Sequence, residues 1–142
     1  GYTRSGIQAG AEAAAGGKVC EREGYFFEST ILNNVTQDMT VAREEIFGPV
    51  LSIIDYEEHE EAIKIANDTD YGLAAGVFTT NIDQATNASN QLEAGQIYVN
   101  SWFTGSIASP FGGYKKSGYS REKGQQALKS YLQVKNVGIS LS

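Results

Sequence analysis

The sequence predicts an α/β fold built on parallel strands. Three observations carry that expectation: between Val50 and Asn100 short apolar runs alternate with helical segments, the runs are too short to be helices, and the helices carry their own start and stop signals. Val50-Leu51-Ser52-Ile53-Ile54 reads as a buried strand. The helix after it opens with Glu57, Glu58, Glu60 and Glu61 at the positive end of its dipole, with Lys64 spaced to pair with Glu60. Ala62, Ile63 and Ala66 supply its apolar face. Asn67-Asp68-Thr69-Asp70 stops it, and Gly72 to Phe78 follows as a second buried strand. Thr80 or Asn81 then caps a helix with Ile82, Ala85, Ala88 and Leu92 on its apolar side, ending at Gly95. Gln96 to Asn100 is the third strand. This order implies right-handed crossovers between adjacent parallel strands, with ligands beyond the strands' carboxyl ends. The loop Ser101 to Gly118 therefore starts where such sheets bind ligands.

The flanking segments read less regularly. Thr3 to Ala15 is Ala-rich and compatible with a helix, which Gly16-Gly17 breaks. Tyr25 to Leu32 has the aromatic and β-branched content of a strand. Glu122 to Leu132 reads as a last helix, and Val137, Ile139 and Leu141 alternate as in a half-exposed terminal strand. No internal repeat or low-complexity segment is present.

A length of 142 residues allows one ordinary domain, and 41% hydrophobic with 11% aromatic residues and only 2 prolines argues for a folded globule. The net charge of -6 opposes binding to nucleic acid or to an anionic membrane, since both need clustered cations. No apolar stretch is long enough for a membrane helix, and the first residues lack the apolar core of a signal peptide. A soluble, cytoplasmic setting with small-molecule or protein partners is the expectation. The single cysteine, Cys20, excludes an internal disulfide and a multi-cysteine metal site, and no metal is expected. The sequence opens at Gly1 without Met, from which a fragment or a processed chain is expected.

The runs Glu44-Glu45-Ile46-Phe47-Gly48-Pro49-Val50 and Ser109-Pro110-Phe111-Gly112-Gly113-Tyr114-Lys115-Lys116-Ser117-Gly118 carry the most information. Together they resemble the closing part of the NAD(P)-dependent aldehyde dehydrogenases, and nearly the whole chain can be aligned with that family's C-terminal third. The resemblance implies a parallel-sheet catalytic-domain fragment over residues 1–132 and a C-terminal oligomerisation strand over 133–142. It also implies the reaction of the full enzyme: thiolate attack on an aldehyde, hydride transfer to NAD or NADP, and hydrolysis of the thioester. In the family the nucleophilic cysteine precedes this region, so the fragment alone is expected to be inactive. The implied partners are an aldehyde, the remainder of the parent enzyme and further copies of it as a dimer or tetramer. A stand-alone binding or assembly module without catalysis is the alternative.

Residue by residue, the resemblance places the grip on the nicotinamide ribose on Glu45 and the packing against the same end of the cofactor on Phe47. Physics alone favours a solvated Glu beside a core Phe, although Gly48-Pro49 restricts the backbone just after the carboxylate, and it is the seven-residue match that reverses this preference. Asn100, Trp102, Phe103 and Phe111 are the candidates for substrate contact, because the family lines its substrate tunnel with this loop; ordinary core packing is the competing reading of the aromatics. A proton-relay position of the family falls on Glu122, against the simpler reading of an Arg-Glu pair opening a surface helix. Gln133 stands where some members carry a Glu that ties the subunit interface to the active site. The glycines near Lys115 and Lys116 match neither spacing of a phosphate-binding loop. Cys20 lacks the family's Gly-Gln context before the nucleophile, and His59 sits among glutamates with no convergent ligand set; both read as incidental.

Overall fold

A computed structural model describes residues 1–142, which divide into two compact units, Gly1–Ile65 and Ala66–Ser142. The first unit starts with helix α1 (Tyr2–Gln8). The helix ends at Gln8, well short of the Ala15 that its alanine content suggests, because Gly10 at φ 111 supplies a left-handed residue that the chain needs to turn. The Ala11 amide then donates to the Gly6 carbonyl (2.9 Å) and the Gly10 amide to that of Ile7 (3.1 Å), the paired bonds of a Schellman cap. Strand β1 (Glu12–Ala15) follows where the sequence reading continued the helix.

Strands β1, β2 (Thr30–Asn33) and β3 (Val50–Ser52) form one sheet in that order, β1 antiparallel to β2 and β2 parallel to β3. Thr30 lies opposite Val50, and the Thr30 amide donates to the Pro49 carbonyl at 2.8 Å. Between β2 and β3 lies the short helix α2 (Thr40–Arg43). Leu32, 0% exposed, is the centre of a core with Ala11, Val35, Met39 and Val41, and Gly6 lets α1 approach within contact of the Leu32 and Val41 side chains. Burial of this kind is worth about 1.5–3 kcal/mol per large side chain.

Helix α3 (His59–Asn67) opens with Glu60 and Glu61 and buries Ile63, as its pattern predicts. The second unit holds β4 (Tyr71–Gly72), β5 (Ala74–Val77), α4 (Ile82–Gln91), β6 (Gln96–Val99), β7 (Tyr114–Lys115), α5 (Gly124–Leu128) and a 3-10 turn, Lys129–Tyr131. Strands β5 and β6 are parallel in full register from Ala74 opposite Gln96 to Val77 opposite Val99, while β4 pairs antiparallel with β7. The expectation of three adjacent parallel strands is corrected: β3 pairs with β2, and β5 pairs with β6 in a separate sheet. β3 is an edge strand bonded to β2 alone, a partner distant in sequence that local pattern does not reveal.

Helix α4 is capped by Asn81, whose side-chain oxygen accepts from the Asp83 (2.9 Å) and Gln84 (3.2 Å) amides. It stops at Gln91 rather than running to Gly95, because the Asn67 side chain takes over the exit: its amide donates to the Gln91 carbonyl and its oxygen accepts from the Glu93 amide, each at 2.8 Å. Ala85, Ala88 and Leu92 are buried as expected, but Ile82 is 75% exposed and does not join them. Gly95 serves a different need. A methyl group there would fall 1.8 Å from the Gly112 carbonyl oxygen, so only glycine admits that crossing of backbones.

The last helix begins at Gly124, later than expected, since Glu122 is bonded in a bridge to Phe111. Residues 133–142 form no strand within the chain, and Val134, Val137, Ile139 and Leu141 are exposed. The alternation is there, but a strand needs a ladder partner and none of this chain's strands supplies one. No helix is long and apolar enough to cross a membrane.

The Asn81 cap gives a first prediction. Asn81→Ala should lower the stability of the chain by about 1 kcal/mol, read as a lower urea midpoint at unchanged slope, and Asn81→Ser should recover most of it. Equal midpoints for Asn81→Ala and the parent sequence would show that the cap is not stabilising.

Candidate functional site

The first group of candidates lies on the loop between α2 and β3. Glu44 leaves the helix in extended conformation, and its carboxylate accepts from the Tyr2 hydroxyl at 2.8 Å. Glu45, the other member of the acid pair, is exposed. Two tight turns follow, the Gly48 amide donating to the Ile46 carbonyl (2.9 Å) and the Val50 amide to that of Gly48 (2.8 Å). Because the Pro49 carbonyl is bound to Thr30, the loop is tied at its far end to the sheet. Phe47 stands on this fixed loop 94% exposed, and with Ile46, Gly48 and Pro49 it borders an open groove of about 630 Å³ that also touches α1. A core role for Phe47 within the chain is thereby excluded. The core contact is made by Ile46 instead.

The second group forms an aromatic cluster in the other unit. Asn100 follows β6 in the left-handed region (φ 53), which asparagine tolerates better than most residues. Its side-chain oxygen accepts from the Thr79 amide and its nitrogen donates to the Thr79 carbonyl, both at 2.9 Å. With the Asn100 amide bonded to the Val77 carbonyl at 2.8 Å, the carboxyl ends of β5 and β6 are clamped together. Asn100 thus spends both ends of its amide on the backbone.

Past this clamp the chain turns and returns its aromatic rings over the sheet. Tyr98, only 6% exposed, is met edge-on by Trp102 (centroids 5.5 Å apart, 62°) and stacked by Phe103 (6.1 Å, 30°). Phe103 reaches on to Phe111 at 6.1 Å, and the Trp102 ring lies across Gly76 of β5. Phe103 holds φ 61, a rare state for an aromatic residue, in the turn that aims its ring. Trp102 and Phe103 remain more than half exposed, so neither is wholly a core residue. Tyr98, Phe103 and Phe111, with Gln96, Ser106, Ser109 and Lys123, surround a pocket of about 170 Å³. Tyr98 was not among the residues singled out from sequence. The signal was present in the two-residue period of β6, which puts Gln96 and Tyr98 on one face.

Glu122 reaches this cluster through its backbone, exchanging two 2.7 Å bonds with Phe111, and its side chain is exposed. The lysines of the glycine-rich loop are engaged elsewhere: Lys115 pairs with Glu93 at 2.6 Å and Lys116 with Asp70 at 2.5 Å. The Asp70 hydrogen bond and charge hold the Lys116 ammonium above the ordinary lysine range. Arg121 donates to the Gly113 and Ser120 carbonyls, each at 2.9 Å. Cys20 is a half-buried free thiol in a turn where its amide donates to the Phe26 carbonyl at 2.9 Å. His59 is half-buried rather than on the surface, with its Nε2 lacking a hydrogen-bond partner.

The description of the aldehyde dehydrogenase family matches residues 1–137. The chain belongs to that family. It is 48% identical over 141 residues to the mitochondrial aldehyde dehydrogenase family 2 member B4 of Arabidopsis thaliana, across 99% of this chain and 26% of that protein. Among solved structures it is similar to the aldehyde dehydrogenase KauB from Pseudomonas aeruginosa, with a TM-score of 0.90, 47% identity, and coverage of 94% of this chain and 28% of that one. An NAD+ complex of the aldehyde dehydrogenase from Bacillus cereus gives a TM-score of 0.92 at 44% identity, over 99% of this chain and 29% of that one. The chain therefore spans about a quarter of the length of these family members. The α/β class and the family resemblance read from the sequence are both borne out.

The Asn100 clamp is open to measurement. Asn100→Ala should cost about 1–3 kcal/mol locally through two lost bonds, and amide exchange at Thr79 should quicken about tenfold or more. Asn100→Gly keeps the left-handed backbone but loses the same bonds. Full protection of Thr79 in Asn100→Gly would show that the side chain is not the clamp.

Proposed function

We propose that this chain supplies the cofactor-ribose grip and the substrate-tunnel wall of an enzyme that oxidises an aldehyde to a carboxylic acid with NAD or NADP. The observation that carries the reading is the family match across residues 1–137. The NAD+ bound in the Bacillus cereus relative supports the choice of cofactor. Within this chain, Glu45 and Phe47 fit one end of such a cofactor. A carboxylate accepts two hydrogen bonds from a vicinal diol, and an exposed ring on a tied loop offers an apolar face to a planar group. Glu44 is less suited, since Tyr2 already holds it. The lysines of the glycine-rich loop are paired with Glu93 and Asp70 and are not assigned a phosphate.

In this reading a cysteine outside the chain adds to the aldehyde carbonyl. The cofactor, when bound, accepts the hydride that leaves the resulting carbon, and water then cleaves the thioester to release the acid and the thiol. Glu45 orients the cofactor's ribose, and Phe47 limits the freedom of the same end. Trp102, Phe103 and Phe111 exclude water from the substrate path, with Asn100 fixing the strand ends from which they project. Glu122 is the candidate for passing a proton onward, its backbone fixed against Phe111. Cys20 is not assigned the nucleophile's role, as it lacks the Gly-Gln context that precedes the nucleophile in the family. The cytoplasmic setting expected from the sequence belongs to the same proposal, and the mitochondrial Arabidopsis relative is the reason to localise the tagged protein directly.

Full-length enzyme should form NADH in an aldehyde-dependent way, while the 142-residue chain alone should form none. Glu45→Gln in the full-length enzyme should slow hydride transfer in single turnovers with a stability change within about 0.5 kcal/mol. Unchanged single-turnover rates would remove Glu45 from the site. Absence of activity in the full-length protein would favour the alternative of a non-catalytic assembly module.

The tail yields a separate expectation. Its alternating, exposed Val137, Ile139 and Leu141 suit a strand that pairs with an edge on another copy. Deleting residues 134–142 from the full-length protein should lower its oligomeric state by light scattering. An identical mass before and after would reduce the arm to a packed tail.

A further inference from the structure

The 170 Å³ pocket at the aromatic cluster has a polar side as well as an apolar one. Tyr98, Phe103 and Phe111 form the apolar wall, while Ser106, Ser109 and Lys123 face it. No carboxylate lines it. The cations nearby differ in how they are used. Lys115 and Lys116 are neutralised by Glu93 and Asp70, and Arg121 is spent on two carbonyls. The Lys123 ammonium has instead only the face of the Phe111 ring, 5.3 Å from its centroid. A cation held over a ring keeps most of its capacity to meet an anion.

The backbone fixes where this ammonium starts. Lys123 sits at φ 60 and ψ 172, a strained conformation for a non-glycine residue that persists only where neighbours enforce it. Those neighbours are the two bonds between Glu122 and Phe111 on one side and the Gly124 amide to the Ile107 carbonyl (3.0 Å) on the other. The facing hydroxyls add donors. Ser106 Oγ accepts from the Ala108 amide at 3.1 Å and lies 3.3 Å from Ser109 Oγ, so the pair retains a proton to donate into the pocket. Gln96 contributes no donor, because its amide nitrogen is taken by the Gly95 and Pro110 carbonyls.

We propose that Lys123, with the Ser106 and Ser109 hydroxyls, makes this pocket selective for short aldehydes that carry a carboxylate at the end remote from the carbonyl. The inference rests on the proposed function above and names its substrate class. Size agrees: 170 Å³ is the room of roughly five or six waters at ~30 Å³ each, enough for a short charged tail. Charge agrees as well, since an ammonium over a ring, faced by two hydroxyls and no carboxylate, favours an anion. Glu122, next in sequence, carries an exposed carboxylate and does not line the pocket.

The test uses the full-length enzyme with 4-oxobutanoate and its methyl ester, which differ in the terminal charge. The ratio of kcat/KM for the acid over the ester should exceed one. It should fall about fivefold or more in Lys123→Met and be largely restored in Lys123→Arg, which keeps the charge. Raising salt should shrink the ratio in the parent enzyme and leave that of Lys123→Met flat. Calorimetry with succinate, the dicarboxylate product, supplies a readout that needs no turnover: binding in the parent protein and in Lys123→Arg, and weakened binding in Lys123→Met. Oxidation of both aldehydes with an unchanged ratio and unchanged succinate binding in Lys123→Met would overturn the Lys123 assignment and leave the proposed function standing. Lys123-dependent succinate binding by a protein that oxidises no aldehyde would do the reverse. Neither binding nor oxidation would sink both.

Discussion

The aromatic wall depends on a crossing of two backbones with no side chain between them. Gly95, which leads into β6, passes so close to Gly112 that any β-carbon would overlap the Gly112 carbonyl, and a β-carbon on Gly112 would in turn lie 2.2 Å from the Ser120 carbonyl oxygen. Three strands of chain are thus stacked at backbone contact. That stacking brings the loop carrying Phe111 down beside β6, and it places Glu122 opposite Phe111 for their two bonds. Phe103 and Phe111, eight residues apart in the same loop, lie with their ring centroids 6.1 Å apart beside it. The cost is borne as backbone freedom: glycine loses more conformational entropy on folding than any other residue. Close packing against carbonyls is what the chain gains for it.

Charge is distributed around that crossing with a visible division of roles. Lys115 bonds the Asn67 carbonyl as well as Glu93, tying β7 to the turn after α3, and Lys116 ties the same hairpin edge to Asp70. Exposed ion pairs of this kind contribute little individually, about 0–1 kcal/mol, so their value lies in fixing register on a strand pair of two residues each. Arg121 supports the stacked loop from its underside by binding the Gly113 carbonyl. Its Nη1 donates to the Ser120 carbonyl as well, and the guanidinium lies over the Tyr114 ring, 5.6 Å from the centroid. What remains for ligand recognition is then a single ammonium over a ring rather than a basic patch.

Local pattern revealed the parts of the fold that local forces decide. The cap at Asn81, the buried face of α3 and the span of β6 were legible because each depends on residues within a few positions of one another. The end of α1 was equally legible in principle, since Gly10 is the residue a Schellman cap requires, but the alanines beyond it outweighed that one signal. Strand partners were not legible. Whether β3 pairs with β2 or with β5 is settled by contacts far apart in sequence, and both alternatives satisfy the same hydrophobic pattern. For the candidate site, the motif runs held Glu45, Phe47 and Phe111, and the family resemblance added Asn100, Trp102, Phe103 and Glu122; of these, Trp102, Phe103 and Phe111 come together in one ring cluster around Tyr98, with Asn100 at the strand ends beside it. Tyr98 and Lys123 escaped notice for a physical reason. A buried tyrosine inside a strand and a lysine opening a helix are unremarkable until the rings on either side are known to converge on them.

The distribution of exposed apolar side chains bears on how such a chain is completed. Isolated exposed hydrophobics are ordinary on any surface and need no explanation. Among those of this chain are Phe47 on its loop, Trp102 and Phe103 on theirs, and Val134, Val137, Ile139 and Leu141 on the tail. Covering a large apolar side chain gains about 1.5–3 kcal/mol, so the tail's alternating residues would contribute several kcal/mol if paired against another strand, before the entropy of ordering the arm is subtracted. In the proposed reading each cluster has a separate complement: a planar cofactor for Phe47, a substrate path for the loop rings and a neighbouring copy for the tail. The three complements differ in chemistry, and so do the exposures. Phe47 stands alone beside an acid, the loop rings enclose a small pocket with a cation, and the tail presents a two-residue period without charge at its apolar positions.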